Sequence, residues 1–125
     1  VEEKMKVVVV ESDREMLAFL QLLLVAGGHD PRPFSDGANA IIALPREEPD
    51  VLLCDLGLAR VQGESVARAA AALPRRPRIV LMSGDVSRLE RARPLADVVM
   101  EKPFHGQHLL ETLKRWDPTG DTPGA

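Results

Sequence analysis

Val7-Val8-Val9-Val10 is an unbroken β-branched run with no polar residue alternating through it. Such a run suits a strand buried on both faces, the situation inside a parallel sheet covered by helices. Three further short apolar runs, 51–54, 79–82 and 98–100, share this character. All four stop at small or charged polar residues: Glu11-Ser12-Asp13, Asp55, Ser83-Gly84-Asp85 and Glu101-Lys102-Pro103. In a parallel α/β sheet the C-terminal strand ends share one edge, and ligands sit at that edge. Carboxylates, a hydroxyl and a lysine that lie far apart in the chain are therefore expected to converge around Asp55.

The stretches between the runs read as helices. Ser12 and Glu15 form a Ser-x-x-Glu capping box. Met16, Leu17, Phe19, Leu20, Leu23 and Leu24 follow at helical spacing, and Gly27-Gly28 ends the segment. Residues 29–34 should form the second strand, but Pro31 and Pro33 cannot donate to a ladder, so a short, irregular edge strand is expected. A second helix is expected over 38–44, stopped before Pro45. A loop is expected over 57–63, then an alanine-rich helix over 64–73. The fourth strand is expected over 78–82, a short helix over 86–93 limited by Pro94, the fifth strand over 97–100 and a final helix over 104–116. Strand–helix alternation of this kind gives a parallel sheet with helices on both faces. One domain is expected over 4–116. Residues 117–125, Asp-Pro-Thr-Gly-Asp-Thr-Pro-Gly-Ala, have the composition of a disordered tail or linker.

Composition narrows the function. The formal net charge is −3 and aromatic residues make up 3% of the chain, with no Tyr. Neither a basic face nor a base-stacking surface is supported, so no nucleic-acid partner is expected of this domain. No apolar run approaches the roughly 20 residues of a membrane-spanning helix, and no signal peptide is evident. No membrane contact and a cytoplasmic location are the expectations. The chain begins with Val, as a piece of something longer would. Cys54 is the sole cysteine. It reads as a small buried hydrophobe, because no cationic neighbour in sequence would lower its pKa.

The ordered set of strand ends resembles the receiver domain of two-component response regulators, the CheY-like family. The resemblance covers about residues 5–115. It rests on the acidic cluster after the first strand, Pro49-Asp50 and Asp55 around the third, Gly63 eight residues past Asp55, Ser83-Gly84 after the fourth strand, and Lys102-Pro103-Phe104 after the fifth. It implies a (βα)5 doubly wound, flavodoxin-like fold with a five-stranded parallel sheet. By the resemblance Asp55 is the phosphoacceptor, taking a phosphoryl group from a histidine kinase or a histidine phosphotransfer protein. Lys102 pairs with the phosphoryl oxygens and Ser83 offers them a hydroxyl. Mg²⁺ is held by Glu11, Asp55 and the Gly57 carbonyl, with Ser12 and Asp13 as weaker candidates. The implied role is a signalling phosphoacceptor, not an enzyme acting on other molecules. The chain is expected to belong to a hybrid sensor kinase or to stand alone, with a weak homodimer left open.

Three departures from the family pattern carry consequences. The adjacent acidic pair of the family is here Glu11-Ser12, so the site has one formal negative charge fewer, and weaker Mg²⁺ binding is expected. The aromatic often found three residues before the lysine is Val99. The stretch from Ser83 to Lys102 is short. These motivate an alternative, a pseudo-receiver that acts as a phosphorylation-independent protein-interaction module. A hydrolase using Asp55 is disfavoured, because the Asp-x-Asp nucleophile motif of haloacid-type phosphatases would need an acid where Gly57 stands. The backbone at Lys102-Pro103 is expected to be fixed and non-helical, and a cis bond is admissible there.

Overall fold

A computed structural model describes residues 4–116; the tail expected over 117–125 lies outside the described residues. Five strands, β1 (Lys6–Val10), β2 (Asp30–Phe34), β3 (Val51–Asp55), β4 (Arg78–Ser83) and β5 (Val98–Glu101), alternate with five helices, α1 (Arg14–Ala26), α2 (Gly37–Glu47), α3 (Gly63–Ala71), α4 (Val86–Ala92) and α5 (Gly106–Lys114). A short 3-10 turn, Arg93–Leu95, takes up Pro94 after α4. All pairings are parallel and the strand order is β2-β1-β3-β4-β5. β2 is one of the two edge strands, where its two prolines are tolerated.

The two-residue period of the strands divides the core into two layers. Val8, Val10, Leu52, Cys54, Ile79 and Leu81 face Ala40 and Leu44 of α2, Val66, Ala67 and Ala70 of α3, and Leu89 and Ala92 of α4. Val7, Val9, Val51, Leu53, Val80, Met82 and Met100 face Leu20 and Leu24 of α1 and Leu109 and Leu113 of α5. Alternate residues of one strand thus enter opposite layers, which explains why the strands carry no polar alternation. Phe19 is an exception to the expected α1 face, since it turns outward and is 46% exposed.

Two local expectations are corrected. Helix α2 does not stop before Pro45 but runs through it to Glu47, closing with Glu48 in a left-handed conformation (φ 48°) whose N–H reaches the Leu44 carbonyl at 3.1 Å. Pro45 removes one helical hydrogen bond in the last turn, a local cost that burial of Ala40, Ala43 and Leu44 against the sheet outweighs. The N-cap of α1 is Asp13, not Ser12: Asp13 Oδ1 accepts from Met16 N at 3.1 Å. The cause is Glu11, whose Oε2 accepts the Asp13 N–H at 3.2 Å and fixes that residue just outside the helix. A carboxylate at the cap also suits the helix N-terminus electrostatically.

Polar anchors tie the opposite edge of the sheet. Asp50 Oδ2 accepts the Lys6 N–H at 2.8 Å and its Oδ1 pairs with Arg75. Asp97 Oδ2 accepts the Ile79 N–H at 2.7 Å and the Arg76 guanidinium at 3.0 Å. These bonds hold the strand starts in register and leave the C-terminal edge free for chemistry.

Candidate functional site

Glu11, Asp55, Ser83 and Lys102 lie at or just past the C-terminal ends of β1, β3, β4 and β5. Parallel pairing brings those ends together. The Lys102 ammonium sits between two carboxylates, 2.6 Å from Glu11 Oε1 and 3.3 Å from Asp55 Oδ1. Glu11 is 1% exposed and Asp55 7%. Two nearly buried carboxylates therefore share one cation, leaving a formal charge of −1 on the trio.

Lys102 has opposing influences. Burial works against its charged form, but the hydrogen bond to Glu11 and the charges of Asp55 and Glu11 outweigh that penalty and hold its pKa above the ordinary lysine value. It is an ammonium throughout the physiological range. Its backbone is anchored by Lys102 N–H to the Ser83 carbonyl at 2.9 Å, and the Lys102-Pro103 peptide bond is cis.

Ser83 is buried, and its Oγ accepts the Asp85 N–H at 3.0 Å. The hydroxyl proton is not consumed by that bond and stays available for donation. Asp85 in turn caps α4 by accepting from Arg88 N at 3.1 Å. Gly57 lies beside the Asp55 carboxylate, where an added Cβ would stand 3.6 Å from Oδ2. Gly63 is packed far more tightly. A Cβ there would be 2.7 Å from Leu56 Cα and 3.0 Å from the Asp55 carbonyl carbon, and closer still to the Asp55 oxygen. Only a glycine lets α3 begin directly against the end of β3.

Ser12 is exposed on the turn after β1, and the Asp13 carboxylate is engaged in the α1 cap. Neither joins the trio. Among the described residues no group of three or more His, Cys, Asp and Glu gathers as a metal-ligand cluster. Buried Cys54 donates toward the Asp55 carbonyl at 3.3 Å; burial, together with the Asp55 and Glu11 charges, drives its thiol pKa upward, so it is not a reactive thiolate.

One feature beside the site had no counterpart in the sequence reading. Arg88 of α4 grips Glu64 of α3 with Nε to Oε2 at 3.0 Å and Nη2 to Oε1 at 3.0 Å, and also reaches Gln62. These partners are 24 and 26 residues apart and lie on helices and loops rather than at strand ends, so no spacing rule marks them.

A doubly wound parallel sheet with carboxylates, a hydroxyl and a lysine on its C-terminal edge defines a flavodoxin-like α/β domain. The family model of the response regulator receiver domain matches residues 7–114, and the chain belongs to that family. It is similar to the signal receiver domain of a response regulator from Bermanella marisrubri, with 28% identity and a TM-score of 0.80 over 89% of this chain and 96% of that one. A putative response regulator from Chloroflexus aurantiacus J-10-fl gives 24% identity and a TM-score of 0.82 over 90% and 96%. The receiver domain of a sensor histidine kinase from Pseudomonas aeruginosa PAO1, described with a magnesium ion coordinated in its active site cleft, gives 22% identity and a TM-score of 0.83 over 91% and 98%. The chain is thus a receiver domain of a two-component system, a signalling module. No helix among the described residues is long and apolar enough to cross a membrane.

Proposed function

We propose that the domain is a phosphorylation switch in which Asp55 accepts a phosphoryl group from a phosphohistidine of a kinase or phosphotransfer protein. The observation that supports this reading is the sharing of Lys102 between Asp55 and Glu11 at the C-terminal sheet edge. In the transfer an Asp55 carboxylate oxygen attacks phosphorus, the P–N bond to the donor imidazole breaks, and its electron pair stays on the imidazole nitrogen. The product is an acyl phosphate on Asp55. The transition state spreads charge over three equatorial oxygens and needs cationic and hydrogen-bonding partners more than acid–base chemistry. The Lys102 ammonium, already 3.3 Å from Asp55, needs only a small movement to reach those oxygens. Ser83 donates its free hydroxyl proton to one of them.

The donor set suits Mg²⁺, which takes one or two carboxylates plus phosphoryl oxygens and keeps several waters. Glu11 and Asp55 would be the two carboxylates, and the Gly57 carbonyl would be a third hard oxygen. When bound, the ion neutralises charge on the transferring group. With exposed Ser12 where a further carboxylate would stand, this set would hold the ion weakly. Val99 in place of the family's aromatic and Ser12 in place of its acid are also what a pseudo-receiver would have, so the test must separate the two.

Incubation with a small acyl-phosphate donor and millimolar Mg²⁺, followed by intact mass, is expected to add one phosphoryl group that hydroxylamine removes and that Asp55→Asn abolishes. A Mg²⁺ and beryllofluoride titration followed by amide NMR should show a saturable response that requires Asp55. Failure of both at millimolar Mg²⁺ would reject the switch in favour of the phosphorylation-independent module. The domain itself is proposed to act in the cytoplasm, through protein contacts that respond to the state of Asp55.

A further inference from the structure

We infer that Arg88 is a positioning residue that trades its grip on Glu64 for the phosphoryl group on Asp55, so that the Arg88–Glu64 bridge is a latch opened by phosphorylation. The inference rests on the phosphoacceptor reading above.

The geometry begins with what the bridge connects. Glu64 follows Gly63, whose backbone is pressed against Asp55 and whose N–H donates to the Leu56 carbonyl at 3.2 Å. Glu64 is therefore fixed relative to the end of β3. Arg88 is fixed from the other side: its N–H is capped by Asp85, and the Asp85 N–H is held by Ser83 Oγ. The guanidinium thus spans the two helices that follow the strands ending in Asp55 and Ser83. Its side chain is 25% exposed and that of Glu64 22%, so both ends have given up much of their water.

The competition is electrostatic. Glu64 offers one carboxylate with two well-placed oxygens, a bidentate partner. Phosphorylation replaces the single charge of Asp55 with a group carrying about −1.5 to −2 at neutral pH and three strong acceptor oxygens. The hydrogen bond to Glu64 is the main cause of the raised Arg88 pKa, and the charge of Asp55 adds to it. Lys102 is the sole cation of the buried trio, and it is shared with Glu11. A second cation at the rim of the site has an anion to satisfy once the phosphoryl group arrives. Movement of Arg88 toward it carries the first turn of α4 away from Glu64 and toward β3, which converts chemistry at Asp55 into displacement of a surface helix.

The two partners of an ordinary structural bridge behave alike when removed. A latch does not. Glu64→Gln weakens the competitor and frees Arg88, so beryllofluoride in the presence of Mg²⁺ should bind several-fold tighter than to the unaltered domain. Arg88→Met removes the incoming cation, so binding should weaken roughly tenfold, the loss of one charge-assisted hydrogen bond. Both variants should lose similar amounts of stability in urea, and amide NMR should confirm that each is folded. Binding shifts of opposite sign with matched stability losses support the latch. Shifts of the same sign, or no shift in either variant while the unaltered domain still binds in an Asp55-dependent way, overturn the latch and leave the phosphoacceptor reading standing. Absence of Asp55-dependent binding in the unaltered domain removes both.

Discussion

Replacing Lys102 with Met tests whether the carboxylate pair depends on its one cation. The ammonium lies 2.6 Å from Glu11 and 3.3 Å from Asp55, and its side chain is 20% exposed. Coulomb attraction at those separations is about 6 and about 5 kcal/mol at an effective dielectric of 20, before any desolvation cost is subtracted. Removing one partner of a buried pair costs about 3–5 kcal/mol, because the remaining charge stays buried without compensation. Here two like charges remain, but the lysine is partly hydrated, so a loss near 3 kcal/mol is expected at neutral pH. For a domain of this size that is a fall in Tm of about 10 °C. Urea denaturation of Lys102→Met, Glu11→Gln and the double variant forms a cycle whose coupling term isolates the interaction. The double variant should be more stable than Lys102→Met alone, since it leaves one buried carboxylate instead of two. A loss below about 1 kcal/mol, the range of solvent-exposed pairs, with no coupling in the cycle, would refute the claim that the site is held together through Lys102.

Gly63→Ala should cost about 2–4 kcal/mol, because the new Cβ meets only backbone of Asp55 and Leu56 and α3 must shift to admit it; Gly57→Ala, with ordinary contact distance to Asp55 Oδ2, should leave the urea midpoint nearly unchanged, and equal losses at the two positions would contradict the packing described here. The Arg88 hydrogen bond holds the Glu64 pKa below the ordinary carboxylate value, outweighing burial. A folded pKa below the unfolded one gives stability that is complete above the unfolded value of about 4.3 and is lost as pH falls through the folded value. The gap in urea midpoint between the unaltered domain and Glu64→Gln should therefore be constant from about pH 7 to pH 5 and close progressively below about pH 4; a gap that persists unchanged into stronger acid would show that the bridge is not its source.

How much of this was legible in the chain follows from which features are set locally. Strand character was readable because burial on both faces removes the polar alternation from Val7 to Val10 and from Val51 to Cys54. Convergence at Asp55 was readable because parallel topology sends every strand end to one edge, whatever the separation in sequence. Lys102 and Glu11 are 91 residues apart, yet both could be placed at one sheet edge in advance. Helix ends were less legible, since tertiary contacts decide them. Ser12 and Asp13 are both competent caps, and the choice was made by Glu11, whose buried carboxylate binds the Asp13 N–H. Pro45 has a strong tendency to end a helix, but Leu44 and Ala43 are 1% exposed, and holding them in the core keeps the last turn wound.

The Arg88–Glu64 contact belongs to a third kind of feature. Its two residues sit in the first turns of helices that follow neighbouring strands, β3 and β4, so the strand rule brings their helices near each other but says nothing about which long side chains meet. The meeting is set by how closely α3 approaches β3, and that approach is set by Gly63, where a methyl group would collide with Asp55. A glycine that reads in the sequence as the last residue of a loop therefore determines where an arginine 25 positions later finds its carboxylate. The same closeness places Glu64 next in the chain to the residue packed on Asp55. Any residue larger than glycine at 63 would force α3 away from the end of β3, so the position of the Arg88–Glu64 bridge depends on the tight packing under α3.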